Sequence, residues 1–205
     1  RLGEDRRVRS LEHSVGDLLA AVRRQAVQHD RVWRGAIEEG LVEPSSSFTL
    51  PYELQIADRV IHDAEERGTE TMTVSEILAR SSNVGAVKLA LLLERRRLAK
   101  WIKRFGFGHP TGIDFPGESR GIVLKPSEWT GSTIGNVPIG HGIAVTPIQM
   151  AVAYGAIANG GEWVEPRLVS RIGDDDVADT KRRRVLSRET ARLVRTMMQG
   201  VVSDG

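Results

Sequence analysis

Residues Ala79–Ala90 read ARSSNVGAVKLA. The apolar positions on both sides suit helices, and Ser81, Ser82 and Asn83 stand at the join. A chain that interrupts a helical run with two hydroxyls and an amide is expected to build two helices and a short turn. Upstream, Thr73-Val74-Ser75-Glu76 has the form of a capping box, in which the Thr hydroxyl and the Glu carboxylate each satisfy a backbone N–H of the other. It should open a helix through Ile77 and Leu78 that ends near Ser81, with a second helix from Val84 to about Leu93. Read locally, Ser and Asn at such a place cap free helix-end groups. Read chemically, a hydroxyl and an amide braced by two helices form a preorganised polar wall that can shuttle a proton and hold an amide substrate. Both readings can hold, because a capped turn is also rigid.

The same punctuation organises the rest of the chain. The stretch Gly35–Pro44, GAIEEGLVEP, reads as a helix end, a Gly and a Pro-terminated turn, followed by a loop at Ser45–Phe48. Tyr52–His62 alternates loosely, as a short strand or extended segment would. Leu98–Phe105 is a third short helix closed by Gly106 and Gly108, and HPTGIDFPGESRG after it is a long Gly/Pro-rich loop. Thr146-Pro147-Ile148-Gln149 is a second capping box with Pro at the first helical position. Its helix should stop at Asn159-Gly160-Gly161, with Trp163–Ile172 holding a strand or two. Ser187 caps a final helix whose apolar stripe is Leu193, Val194, Met197 and Met198. Residues 1–34 are Arg-rich, with weak helical periodicity near Val15–Val22. Mostly helices, with a few strands towards the C-terminus, argue for an α+β domain.

Composition excludes several function classes. The chain has 205 residues, 40% hydrophobic and 27% charged, which suits a soluble globular domain. A net charge of +2 gives no global electrostatic case for nucleic acid, and Trp33, Trp101, Trp129 and Trp163 are too scattered for a base-stacking platform. There is no cysteine, so thiolate chemistry and disulfides are out, and no motif implies a metal or organic cofactor. No apolar run approaches the roughly 20 residues of a membrane span. The openings RLGEDRRVRS and GVVSDG at the two termini suggest a fragment.

Three segments in order, SSNVGAVKLA, FGFGHPTGIDFPGE and GNVPIGHGIAVTPIQMAVAYGAIANGGEWVEPRLV, closely resemble the transpeptidase domain of class B penicillin-binding proteins, the division and sporulation type. The resemblance runs from Gly35 to about Val202. It implies a penicillin-binding-protein/serine β-lactamase-like fold, here mostly the helical part and stopping before the K-T-G strand. It implies a site made of S-x-x-K, S-x-N and K-T-G motifs, in which a Ser attacks the D-Ala-D-Ala amide of a peptidoglycan stem peptide and β-lactams mimic that substrate. The middle motif falls on Ser81, whose hydroxyl would relay a proton, and Asn83, whose amide would hold the substrate backbone, with Ser82 as the variable position. His141, between glycines in IGHGIAVTP, would lie near the cleft and shape the substrate channel. The resemblance further implies a membrane anchor, an extracytoplasmic catalytic domain and cell-division partners in the full-length protein. Asp114 and Glu118, in GIDFPGE, are expected to be solvated or ion-paired rather than to act as an acid/base pair.

Two of the three motifs are missing. No K-T-G occurs, and no Ser is followed three residues later by Lys, although S-x-x-K is expected just upstream of Gly35-Ala36-Ile37. His13 and His29 lie in that region without a partner that recommends them as bases. A frameshift would explain the gap. Back-translated with permitted codons and read one base later, LEHSVGD (Leu11–Asp17) can yield S-N-T-R-S-V-T, and AAVRRQ (Ala20–Gln25) can yield P-P-S-G-G-K. AVQHDRVW (Ala26–Trp33) can yield P-F-N-T-T-V-S-G. Together these supply P-x-S-x-x-K, with the Ser over Val22 and the Lys over Gln25. The chain is thus expected to divide into an atypical, frameshifted segment at 1–34 and a partial transpeptidase domain at 35–205. Such a chain should be marginally stable, because the segment that would cover the centre of the helical lobe is altered.

Two other function classes stand beside this reading. One is a non-catalytic penicillin-binding-protein paralogue serving as a scaffold in the division machinery, for which residues 1–34 would be native and packed. The other is a β-lactamase-like hydrolase, for which no deacylating carboxylate can be assigned.

Overall fold

The computed structural model describes residues 30–176 and 180–203. The expectations placed on residues 1–29, His13 and His29 among them, lie outside the described residues. The elements run α1 (Asp30–Glu38), β1 (Ser47–Leu50), β2 (Glu53–Ile56), β3 (Arg59–His62), β4 (Glu70–Thr73), α2 (Val74–Ala79) and α3 (Asn83–Arg104). They continue with β5 (Ile122–Val123), α4 (Thr133–Asn136), β6 (Ile143–Ala144), α5 (Pro147–Ala158), β7 (Glu162–Val164), β8 (Arg171–Ile172), β9 (Asp175–Asp176), β10 (Arg182–Arg184) and α6 (Arg188–Ser203).

α3 is the spine. Leu89, Leu93, Leu98, Trp101 and Ile102 along it are buried, and α1, α2 and α4 all pack on it. The expected break after Leu93 is a kink within this element: Glu94 has φ 65° and ψ 157°, so a helix on either side meets at an exposed residue. Two glycines let neighbours come close to the spine. A Cβ on Gly35 of α1 would meet Trp101 Cδ1 at 2.7 Å, and one on Gly85 of α3 would meet Ile77 Cγ2 of α2 at 2.3 Å. All four tryptophans are buried.

Among the described residues the strands make five antiparallel pairs, β1–β4, β2–β3, β5–β6, β7–β10 and β8–β9. This corrects two sequence expectations. Ser47 and Phe48 belong to strand β1, paired with Thr73 and Met72, and are not loop. Tyr52–His62 is a hairpin rather than one strand, turning at Ala57-Asp58. Strands therefore occur in the N-terminal half as well. β1 was hidden because SSSFTL offers only two apolar residues, Phe48 and Leu50, both on one face, before Pro51, so pairing with β4 settles its conformation.

Both capping boxes form. Thr73 Oγ1 accepts from Glu76 N–H while the Glu76 carboxylate accepts from Thr73 N–H, and Thr146 and Gln149 repeat the exchange at α5. Ser187 Oγ caps α6 by accepting from Thr190 N–H at 3.0 Å.

Candidate active site

The S-S-N cluster is the turn between α2 and α3. α2 ends in a Schellman motif: Ser82 N–H donates to Ile77 C=O at 3.0 Å and Ser81 N–H to Leu78 C=O at 3.1 Å. That motif requires a left-handed residue at its penultimate position, and Ser81 supplies it with φ 54°. The same bond pair closes α1, α3 and α5, and there the left-handed residue is Gly40, Gly106 or Gly160. Ser81 alone among these four ends carries a side chain where an L-residue is disfavoured by about 1–2 kcal/mol. The hydroxyl is therefore held, half-buried, on a backbone that favours glycine.

Ser82 is the opposite case. It is 2% exposed and is the N-cap of α3, its Oγ accepting from Gly85 N–H at 3.0 Å. The same hydroxyl donates to both oxygens of the Asp63 carboxylate at 3.1 Å. Asp63 also accepts from Val84 N–H at 3.0 Å, so one carboxylate sits on the first turn of α3, where a helix dipole favours an anion. Ser82 thus caps α3 and ties the turn to Asp63.

Asn83 begins α3, and its Nδ2 donates to the His62 carbonyl at 3.0 Å, which fixes the plane of the amide. The end of β3 therefore braces the whole turn, His62 through Asn83 and Asp63 through Ser82 and Val84. Asp63 in turn is ion-paired with Arg67, the two side chains being only 8% and 12% exposed. Sequence reasoning missed both residues. The spacing HDAEER did carry an i,i+4 acid–base pair. Nothing in it marked the pair as facing a turn about twenty residues away.

His141 is exposed, with Gly140 at φ 84° and Gly142 at φ 75° on either side, as the glycines predict. Its N–H donates to Asn136 C=O at 2.9 Å. Asp114 is exposed, as expected, and Glu118 is half-buried, and both carboxylates are hydrogen-bonded to backbone N–H groups. Asp114 accepts from the N–H groups of Leu168 and Val169, and the Leu168 bond is the main reason its carboxyl is held below 3.8. Burial pushes Glu118 up, but the Thr111 hydroxyl and the N–H groups of Thr111 and Gly112 together bring it below 4.5. They pin the 111–119 loop against residues 168 and 169, beside an apolar cleft of about 400 Å³ lined by Ile113, Phe115, Ile148 and Leu168. Among the described residues no cluster of acidic, His or Cys side chains could hold a metal ion.

The chain matches known proteins over most of its length. A profile described as the penicillin binding protein transpeptidase domain matches residues 34–205. The chain belongs to the penicillin-binding protein transpeptidase family. It is 37% identical over 171 residues to penicillin-binding protein PbpB of Mycobacterium tuberculosis, covering 81% of this chain and 25% of that protein. It is 31% identical over 171 residues to peptidoglycan D,D-transpeptidase FtsI of Escherichia coli K12, covering 83% and 28%. Stage V sporulation protein D of Bacillus subtilis is 35% identical over 148 residues, 67% of this chain and 22% of that one. The fold agrees: penicillin-binding protein 3 from M. tuberculosis, complexed with aztreonam, superposes with a TM-score of 0.82 at 34% identity over 86% of this chain and 40% of that one. The chain is therefore a class B penicillin-binding transpeptidase sequence that spans about a quarter of the length of the curated relatives it matches. The expected transpeptidase fold is the observed one.

Proposed function

We propose that this chain is part of a peptidoglycan D,D-transpeptidase that cross-links D-Ala-D-Ala stem peptides by serine acyl transfer. In this reading Ser81 carries a proton to the leaving D-Ala amine and Asn83 holds the substrate backbone. The observation that carries it is Ser81 standing left-handed at a helix end where the three equivalent ends have glycine. Strain of that kind persists where a side chain is needed. Asn83 supports it, since an amide fixed in orientation costs little further ordering when it meets a substrate. His141 shapes the channel and does not touch the reacting atoms. Full-length proteins of this kind would be membrane-anchored, extracytoplasmic and partnered by division proteins; no described helix here is long and apolar enough to cross a membrane.

The nucleophile and the K-T-G strand are supplied by motifs that the 205 residues do not contain. The chain as it stands therefore does not acylate. Fluorescent penicillin followed by denaturing electrophoresis and peptide mapping checks this: no covalent adduct is expected, and an adduct on Ser81 would overturn the assignment of Ser81 as a proton relay.

The missing nucleophile also favours a second reading, a scaffold paralogue that keeps the cleft for binding. The two differ at the DNA level: a transpeptidase gene carries an S-x-x-K codon set in the neighbouring frame over residues 11–33, and a scaffold gene carries one clean frame.

A further inference from the structure

The left-handed Ser81 needs something to hold it. Non-glycine residues stay in that conformation only where the surroundings over-determine them. The α2 Schellman bonds are one constraint, but identical bonds occur at the three glycine ends and need no help there. What the Ser81 turn has in addition is the charged pair behind it. Arg67 Nε donates to Asp63 Oδ2 at 3.0 Å, and its Nη1 and Nη2 donate to the carbonyls of Leu50, Gly68 and Pro51 at 2.9, 3.0 and 3.2 Å. One guanidinium thereby ties the end of β1, the 63–69 loop and Asp63 together. Asp63, itself bonded through its N–H to Tyr52 C=O at 3.1 Å, passes that fixation to Ser82 Oγ and Val84 N–H, the residues directly after Ser81.

We propose that Arg67 and Asp63 form a clamp that positions the S-x-N turn, Arg67 acting through Asp63 and Asp63 acting through Ser82 and Val84, so that Ser81 stays left-handed and Asn83 stays on the His62 carbonyl. Both are positioning residues and touch no substrate. The pairing needs arginine specifically: a lysine brings the charge but has no fork to span three carbonyls and a carboxylate. The clamp's catalytic meaning rests on the proposed roles of Ser81 and Asn83; its geometry does not.

The test is NMR on the whole chain, comparing the native sequence with Arg67→Lys and Asp63→Asn. The Ser81 HN–Hα coupling and Cα shift report its φ, and amide exchange at Val84 and Gly85 reports the first turn of α3. In both variants the Ser81 signature should move towards an averaged backbone, and Val84 exchange should accelerate about tenfold, the loss of one charge-assisted bond. The Gly106 and Gly160 helix ends should keep their native values. An equal rise in exchange at all helix ends would mean general destabilisation and would overturn the proposal, as would a folded Arg67→Lys chain with native Ser81 and Val84 signals. Should Asp63→Asn fail to fold, Arg67→Lys alone decides. A parallel titration with an acyl-D-Ala-D-Ala peptide separates the two layers. No shift at Asn83 in the native chain would sink the substrate role while the Ser81 signature still decides the clamp.

Discussion

At Ser81 the protein keeps a hydroxyl at the expense of backbone comfort. Ser81→Gly should raise stability by about 0.5–1 kcal/mol, the relieved left-handed penalty less the extra entropy of an unfolded glycine. Thermal or urea unfolding checks it; a destabilised Ser81→Gly would mean that the side chain, not the turn, holds the site. Gly85 behaves in the opposite way. An added methyl would meet Ile77 Cγ2 at 2.3 Å and Ile77 Cβ at 3.1 Å, a rigid branched side chain with no room to retreat. Gly85→Ala should cost about 1–2 kcal/mol, the overpacking outweighing the helix-propensity gain. The double variant with Ile77→Ala should lose less than the sum of the two single changes. Ser81 and Asn83 were legible as a three-residue motif. Asp63, Arg67 and the capping role of Ser82 were not, because the contact that defines them joins segments separated by strand β4 and helix α2.

Among the elements, helix starts were readable and strand pairs were not. Capping boxes are local in sequence, so TVSE and TPIQ announced α2 and α5, whereas β1 exists because β4 is there to pair with it. Even a correctly read cap concealed a second role. Gln149, 1% exposed, closes the α5 box with its Oε1 and donates from Nε2 to the His109 and Arg120 carbonyls at 2.7 and 2.9 Å. It thus ties the long Gly/Pro loop to α5. Gln149→Leu should cost roughly 2–4 kcal/mol by leaving those carbonyls and the Thr146 N–H without partners, and Gln149→Glu, which keeps only the cap, should remain impaired. The far side of this loop depends on acid. Asp114 and Glu118 have folded-state carboxyls below their ordinary 3.8 and 4.5, so the fold prefers them ionised. Their stabilisation is complete above those values and is lost as pH falls through the lowered ones. Acid titration should therefore release the Leu168 and Val169 amides only as pH falls through the lowered value of Asp114, below its ordinary range, seen as loss of exchange protection there. Asp114→Asn should abolish that pH dependence at Leu168.

For the molecule as a whole, the decisive seam is α1 against the spine. The sequence boundary drawn at residue 34 falls inside α1, which begins at Asp30, and Trp33 and Arg34 are each 1% exposed. Arg34 lies with its guanidinium carbon 4.8 Å from the Phe105 ring centroid and 5.4 Å from that of Tyr154. Charge buried among aromatics gains cation–π attraction but loses hydration, and an apolar side chain of similar volume is often as good or better there. Under the frameshift reading the neighbouring frame places Ser and Gly over Val32 and Trp33, and the helix meets the spine with small residues instead of an indole. That makes the reading physically checkable as well as genetically. The gene, resequenced across codons 11–33, should encode P-x-S-x-x-K one base later, with the Ser codon over Val22 and the Lys codon over Gln25. The protein expressed from that corrected frame, extended to include any K-T-G codons downstream, should bind fluorescent penicillin covalently at the restored Ser and melt higher than the present chain. A single clean frame, or a corrected protein that folds but takes no label, would leave the scaffold reading in possession of the cleft.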